Sequence, residues 1–273
     1  MISSQNLCVI IPVHKSNLTQ NERLSLIQCR NILISFDVFL IYPETVNISE
    51  YVVAFPELKL QKVTPLWLDS IASYNRMKCS VKFYKKFQQY NYMLTYELDS
   101  YIFSSEFEKA NAFNHDYIGA PWFKDHANAT QKSNIIPGGN SGFSIRNIHK
   151  CLYVLHCLAS VSGYWKAFRK LGLHRIIRFT LILRLFNSSW RIKGKNVYFF
   201  GLISNNQINE DTFWSVAVPQ VLKFNIAPLE HAIKFSFEVN PSILFNKNNK
   251  ELPLGCHAWE KYEKDFWKAH ISS

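Results

Sequence analysis

Tyr92–Phe103 reads YMLTYELDSYIF. An apolar run ends at two carboxylates, Glu97 and Asp99, and an apolar run then resumes. In a strand, residues i and i+2 point to one face, so both acids can aim at one point beyond the strand end. Hard carboxylate oxygens at that spacing suit Mg²⁺ or Mn²⁺, which complete their shells with water and substrate phosphates. Two solvated acids at a strand end would give the same pattern, so the segment nominates a site without proving one.

Working outward, Leu7–Val13 (LCVIIPV) reads as a buried first strand followed by His14 and Lys15. Thr19-Gln20-Asn21-Glu22 matches a capping box and predicts a helix to about Leu33. Asp37–Tyr42 (DVFLIY) is a second buried strand, stopped by Pro43. Strand, helix and strand with short links predict a parallel pair. Ser70–Tyr90 predicts one long helix, Tyr92–Leu98 the strand quoted above, and Glu106–Ala112 a short helix. Tyr117-Ile118 leads into a Gly119-Ala120-Pro121-Trp122 turn, and the polar stretch from Lys124 to Ser133 reads as a mobile loop. Helical signal then runs from Ile148 to about Leu185 and restarts at Asn209-Glu210-Asp211.

The 273 residues, 48% hydrophobic and 15% aromatic, allow one large domain or two small ones and exclude a disordered chain. The six cysteines are scattered with no Cys-x-x-Cys pair, which argues against a zinc ribbon or a thioredoxin-like centre. Cys8, Cys29, Cys79 and Cys151 lie in apolar segments and read as reduced core residues, favouring a reducing compartment. Neither a signal peptide nor an apolar run of about 18 residues is visible. The expectation is a cytoplasmic protein, peripheral on the inner face of a membrane. The charge of +11 is uneven: no Asp or Glu lies between Asp125 and Glu210, where twelve Lys and Arg run from Lys132 to Lys195. Such a field attracts phosphates or anionic surfaces.

Four more constellations stand out. Gly138–Gly142 lacks the Lys-Ser/Thr of a P-loop; it reads as close backbone approach to a ligand, with Asn140 and Ser141 offering hydrogen bonds, or as an ordinary loop before a strand. Glu210 and Asp211 read as a helix-start cap or as a general base for a hydroxyl nucleophile. His257, among aromatics, is a packed residue or a third ligand for Mn²⁺. Gly163–Lys195 spaces Trp165, Phe168, Leu171, Ile176, Phe179, Leu183 and Phe186 between bases, which fits a basic amphipathic helix on an anionic membrane or a core-facing helix with a basic outer face. No nucleic-acid motif accompanies the charge, so nucleic acid is not an expected partner.

VIIPVHK (9–15), FYKKFQQYNYMLTYELDSYIF (83–103), DYIGAPWF (116–123), GGNSGFSIRN (138–147), NEDTFW (209–214), KFSFE (234–238) and LPLGCHAW (252–259) occur in that order. Together they resemble a family of mostly uncharacterised bacterial and eukaryotic proteins, catalogued as a domain of unknown function and regarded as GT-A-type glycosyltransferases. The resemblance implies one GT-A-like α/β domain over residues 1–273, with a Rossmann-like mixed central sheet flanked by helices. Residues 1–123 would be the nucleotide-sugar-binding half and 124–273 the acceptor half, which includes 163–195.

It also implies a metal-dependent transfer of a sugar from a nucleotide-sugar donor to a hydroxyl on a glycan or lipid-linked acceptor, in bacterial surface glycan or polysaccharide synthesis. Glu97-Leu98-Asp99 fills the place of the family's Asp-x-Asp metal element; the first acid departs from Asp, so Asp99 is the safer ligand for Mn²⁺ or Mg²⁺. His257 would close the metal site. Glu210 or Asp211 would be the base. Pro12, Val13, His14 and Lys15 would border the nucleotide, with Tyr74, Asn75 and Lys78 as weaker contacts, and Gly139, Asn140 and Ser141 would form the glycine loop. The Glu97 departure keeps a second class open, a non-catalytic carbohydrate- or surface-binding module on the same scaffold. A metal phosphohydrolase is disfavoured, since no second cluster of His and Asp is evident.

Overall fold

The computed structural model describes residues 6–125, 128–130, 132–136, 138–158 and 209–271. Its centre is a six-stranded sheet in the order β3-β2-β1-β4-β9-β6. The strands are β1 (Leu7–Pro12), β2 (Asp37–Pro43), β3 (Lys59–Val63), β4 (Tyr92–Tyr96), β6 (Tyr117–Gly119) and β9 (Phe143–Asn147). β3, β2, β1 and β4 run parallel, and β9 runs antiparallel to both β4 and β6. The expected mixed, Rossmann-like sheet flanked by helices is therefore present.

The unbroken apolar run of β1 is what a central strand covered on both faces requires. Its side chains alternate between two cores: Leu7, Val9 and Ile11 join one, Cys8 and Ile10 the other. α1 (Gln20–Leu33) opens on the expected capping box, with the Thr19 hydroxyl accepting from the Glu22 amide and the Glu22 carboxylate accepting from the Thr19 amide. It packs Leu26, Cys29 and Leu33 into the first core, where α2 (Ser49–Ala54) adds Tyr51. Met77, Phe83, Phe87 and Trp214 fill the second.

Two expectations about the Ser70–Phe103 region need correction. The predicted helix over Ser70–Tyr90 is broken into α3 (Ile71–Lys78) and α4 (Val81–Lys85). Ser80 causes the break: its hydroxyl caps the new helix by accepting from the Phe83 amide, as Ser70 does for Ser73. The strand Tyr92–Leu98 also stops early, at Tyr96. Glu97 to Ser100 form a turn closed by the Ser100 amide donating to the Glu97 carbonyl at 2.8 Å. Glu97 and Asp99 thus sit on a turn, and strand periodicity is not what aims them together. The helix predicted near Glu106–Ala112 is two short 3₁₀ turns, Phe107–Ala110 and Ala112–Asn114.

A small second sheet, β10-β11-β5, is built from β5 (Tyr101–Ile102), β10 (Ser236–Phe237) and β11 (Gly255–Cys256). β11 pairs antiparallel with β5, Cys256 opposite Tyr101, and parallel with β10, Cys256 opposite Phe237. One step further along each strand puts His257 beside the 97–100 turn and Glu238 beside His257. β7 (Trp122–Phe123) and β8 (Ile135–Ile136) form a separate hairpin. A helix over 148–158 follows β9, with the Asn147 side chain capping the Lys150 amide. The rest of the predicted Ile148–Leu185 helix, and the basic segment 163–195, lie outside the described residues. No helix among the described residues is long and apolar enough to cross a membrane. All six cysteines are free, five of them buried.

Candidate functional site

β1 is followed through α1 by β2 on one side, and later by β4 on the other, so the chain's winding reverses beside β1. Ligands in open α/β sheets bind outside the carboxyl ends of strands at such a switch point. A cleft of about 480 Å³ lies there, lined by Pro12, Val13, His14 and Lys15 after β1, by Leu68 to Ile71 and Tyr74, and by Glu97, Leu98 and Asp99 after β4. Lys15 pairs with Glu22 at 2.8 Å on the cleft wall and keeps a partly exposed side chain. Another cavity, about 420 Å³, sits at the opposite end of β4 and β9, against Asn91, Tyr92 and Asn147, and no carboxylate lines it.

Glu97, Asp99 and His257 gather at the end of β4, and their ligand atoms all lie within 4.8 Å of one another. His257 Nε2 is 3.1 Å from Asp99 Oδ1 and 3.6 Å from Glu97 Oε2. It is buried and points at these two carboxylates. The other ring nitrogen, Nδ1, meets Glu238 Oε1 at 3.1 Å, and Asn140 Nδ2 donates to the same oxygen at 2.8 Å. A carboxylate that fixes ring orientation from behind is the usual outer partner of a metal-binding histidine. Two hard oxygens with one imidazole, whose Nε2 faces both carboxylates, form a donor set that fits Mn²⁺ or Mg²⁺. Among the described residues, this is the one such cluster.

The two acids are held differently. Glu97 Oε1 accepts from Tyr74 Oη at 2.7 Å and lies 3.5 Å from Lys78 Nζ. Burial opposes its ionisation, but Lys78, His257 and Tyr74 outweigh burial and hold the carboxyl well below the usual range. Burial likewise disfavours a charged His257, yet Asp99, Glu238 and Glu97 overcome it and raise its pKa well above the ordinary value. The Asp99 side chain is 48% exposed and faces the cleft.

The glycine loop 138–142 shapes this site from behind. A Cβ on Gly142 would lie 2.2 Å from His257 Nε2, so only glycine lets the ring pack there. Gly139, at φ 129°, would drive a Cβ to 2.0 Å from the Ala120 carbonyl oxygen. The close approach expected of these glycines is thus to the protein's own groups. Asn140 braces Glu238, and its main-chain carbonyl accepts from the Tyr117 hydroxyl; its Oδ1 accepts from the Gly142 amide at 2.6 Å. Ser141 Oγ accepts from Lys78 Nζ at 3.0 Å.

Glu210 opens a helix that passes from Glu210–Thr212 into a π-turn over Phe213–Ala217. Asn209 is its N-cap by conformation, but its side chain accepts from Asn75 instead of capping. Glu210 is 2% exposed, 2.8 Å from Lys78 Nζ and 2.9 Å from Arg146 Nη2. Burial works against its ionisation, while Arg146 and Lys78 keep it ionised below the ordinary value. At that depth, with Lys78 and Arg146 against it, its carboxylate is turned to the protein's own cations and not to solvent. Asp211 is half-buried; burial first, then the Glu210 charge, push its pKa to about 6. Of the expected pair, Asp211 has the chemistry of a base near neutral pH. Neither Asn75 nor Lys78 lines the cleft.

Sequence reasoning gave no role to Glu238 or Arg146. Glu238 ends KFSFE, and the signal for it was an acid just past a short apolar strand, readable only once that strand's partner was known.

No curated protein matches the chain by sequence. Among solved structures, it is similar to a glycosyltransferase involved in glycosylating the major capsid of PBCV-1 (12% identity, 98% of this chain and 99% of that one, TM-score 0.46). It is similar to mouse xyloside xylosyltransferase 1 (11%, 91% and 96%, TM-score 0.46). It matches a smaller part of the Saccharomyces cerevisiae mannosyltransferase Ktr4p in complex with GDP (11%, 43% of this chain and 40% of that one, TM-score 0.31). The chain thus spans less than half of Ktr4p, and at these identities and scores no activity carries over. By sequence, the model of a family described as protein of unknown function DUF5672 matches residues 57–257, most of the chain, and the protein belongs to that family.

Proposed function

We propose that this chain is a metal-dependent glycosyltransferase that moves a sugar from a nucleotide-sugar donor to a hydroxyl acceptor. One observation carries the reading. Glu97, Asp99 and Nε2 of His257 converge at the mouth of the switch-point cleft, where a diphosphate would lie. Asp99, His257 and Glu97 would hold a divalent cation, which when bound supplies neutralisation of the charge that builds on the diphosphate leaving group.

The chain's own residues have separable tasks. Lys15 on the cleft wall offers a cation to a phosphate. Tyr74 and Lys78 keep Glu97 ionised and fixed in orientation. Glu238 fixes the tautomer of His257 by accepting from Nδ1. Asp211 accepts the acceptor's hydroxyl proton as the oxygen bonds to the anomeric carbon, while the bond from that carbon to the diphosphate breaks. One domain accommodates these roles: residues 1–123 form the donor half, to which His257 and Glu238 of the acceptor half, 124–273, add the rest of the metal site. The acceptor is a glycan or a lipid-linked sugar, and the basic stretch 163–195 would bring an anionic membrane surface near.

Calorimetry of the purified chain with a panel of nucleotide sugars, with and without Mn²⁺, tests this reading. Donor binding that needs Mn²⁺ supports it. Binding of free glycan with no nucleotide bound under any condition would overturn it in favour of a carbohydrate-binding module.

A further inference from the structure

Lys78 ends α3 with its side chain fully buried, at 0% exposure, 2.8 Å from Glu210 Oε1 and 3.5 Å from Glu97 Oε1. Arg146 on β9, 1% exposed, reaches Glu210 Oε2 at 2.9 Å. Its guanidinium also donates to Tyr84 Oη at 3.2 Å and lies over the Tyr117 ring at 5.2 Å. The Trp214 indole donates to the Lys78 carbonyl at 3.1 Å, pinning the helix that starts at Glu210 to the end of α3. Two acids and two cations balance in this set, which is what permits ions at such depth. Apolar residues of similar volume often serve stability as well as a buried ionic set does. The set is therefore better read by what it positions.

It joins two places that the function needs together. Glu97 belongs to the metal cluster, and Glu210 immediately precedes Asp211. We propose that Lys78, Arg146 and Glu210 form a buried ionic brace that positions Asp211 for the acceptor hydroxyl and ties its helix to the carboxylate Glu97. Glu210 is a positioning residue in this scheme. The inference rests on the reading of Asp211 as general base.

The brace also acts through charge. After burial, the Glu210 carboxylate is the largest influence raising the Asp211 pKa, and Glu238 adds to it; the Thr212 amide and Lys78 act in the opposite direction. Tyr117, below Arg146, carries no charge near neutral pH. A base held near 6 retains more proton affinity than an ordinary aspartate while remaining ionised at pH 7.

The test is titration of the Asp211 carboxyl carbon by NMR in the full chain, assigned with Asp211→Asn. The wild type is expected to titrate near 6. Glu210→Gln is expected to lower that midpoint by about one pH unit or more, toward the ordinary aspartate value. If Glu210→Gln does not fold, Glu210→Gln with Arg146→Gln removes one charge of each sign and should show the same fall. An unchanged midpoint in a folded variant overturns the brace. In an active enzyme, Glu210→Gln should also lower kcat and move the acid limb of its pH profile down; an unmoved limb overturns it equally. A wild type that binds no nucleotide sugar would defeat the functional reading, yet the Asp211 titration could still be read.

Discussion

Asp99 and Glu97 differ in what already holds them. Glu97 is committed to Tyr74 and Lys78, whereas Asp99 faces the cleft with His257 as its near neighbour. Both acids were legible in the sequence as a pair; the structure separates a braced ligand from a freer one. Glu238 was not legible, because its importance comes from β10 lying beside β11, a contact between short strands far apart in the chain. Its role is testable. Glu238→Gln should weaken Mn²⁺ binding by roughly 10–100-fold, the usual cost of losing a carboxylate behind a ligand histidine, with little change in fold by circular dichroism. Asp211 gives a second prediction. A base must be ionised, so turnover should fall about tenfold per pH unit below the Asp211 midpoint near 6 and level off above it. A pH–rate profile with no acid limb between pH 5 and 7 would remove Asp211 from that role.

Elements were readable where their signals are local. β1, α1 and β2 follow from two apolar runs, the stop at Pro43 and a capping box, and each pairs or packs as expected. The Ser70–Tyr90 helix failed because aromatic and Lys content says nothing of Ser80, whose hydroxyl begins a second helix. Replacing Ser80 with Ala should cost on the order of 1 kcal/mol in urea denaturation, as for other lost N-caps. A change near zero would mean that packing of Phe83 and Tyr84, and not the cap, sets the break. The turn that ends β4 was also hidden. Glu97 to Ser100 continue a strand-like sequence, and only pairing with the glycine loop and β11 ends the strand at Tyr96.

At the scale of the molecule, the sheet order places the 12–15 loop and the 97–99 turn at one end of neighbouring parallel strands. The small sheet carries His257 to the same end, and the glycine loop makes room for it. Charge is the other whole-chain property. With +11 overall and its bases concentrated between Lys132 and Lys195, the protein should sediment with anionic vesicles at low salt and release as salt rises. Equal binding to neutral vesicles, or none to anionic ones, would contradict that.

The proposed function stands or falls with a catalytic metal at the end of β4. Mn²⁺ binding and Mn²⁺-dependent nucleotide-sugar hydrolysis, measured side by side in wild type and Asp99→Ala, test it most directly. Asp99→Ala should keep the wild-type melting transition while losing metal binding and slowing hydrolysis by on the order of 100-fold, about 2.7 kcal/mol of barrier. Unchanged Mn²⁺ affinity and turnover in a folded Asp99→Ala protein would contradict it.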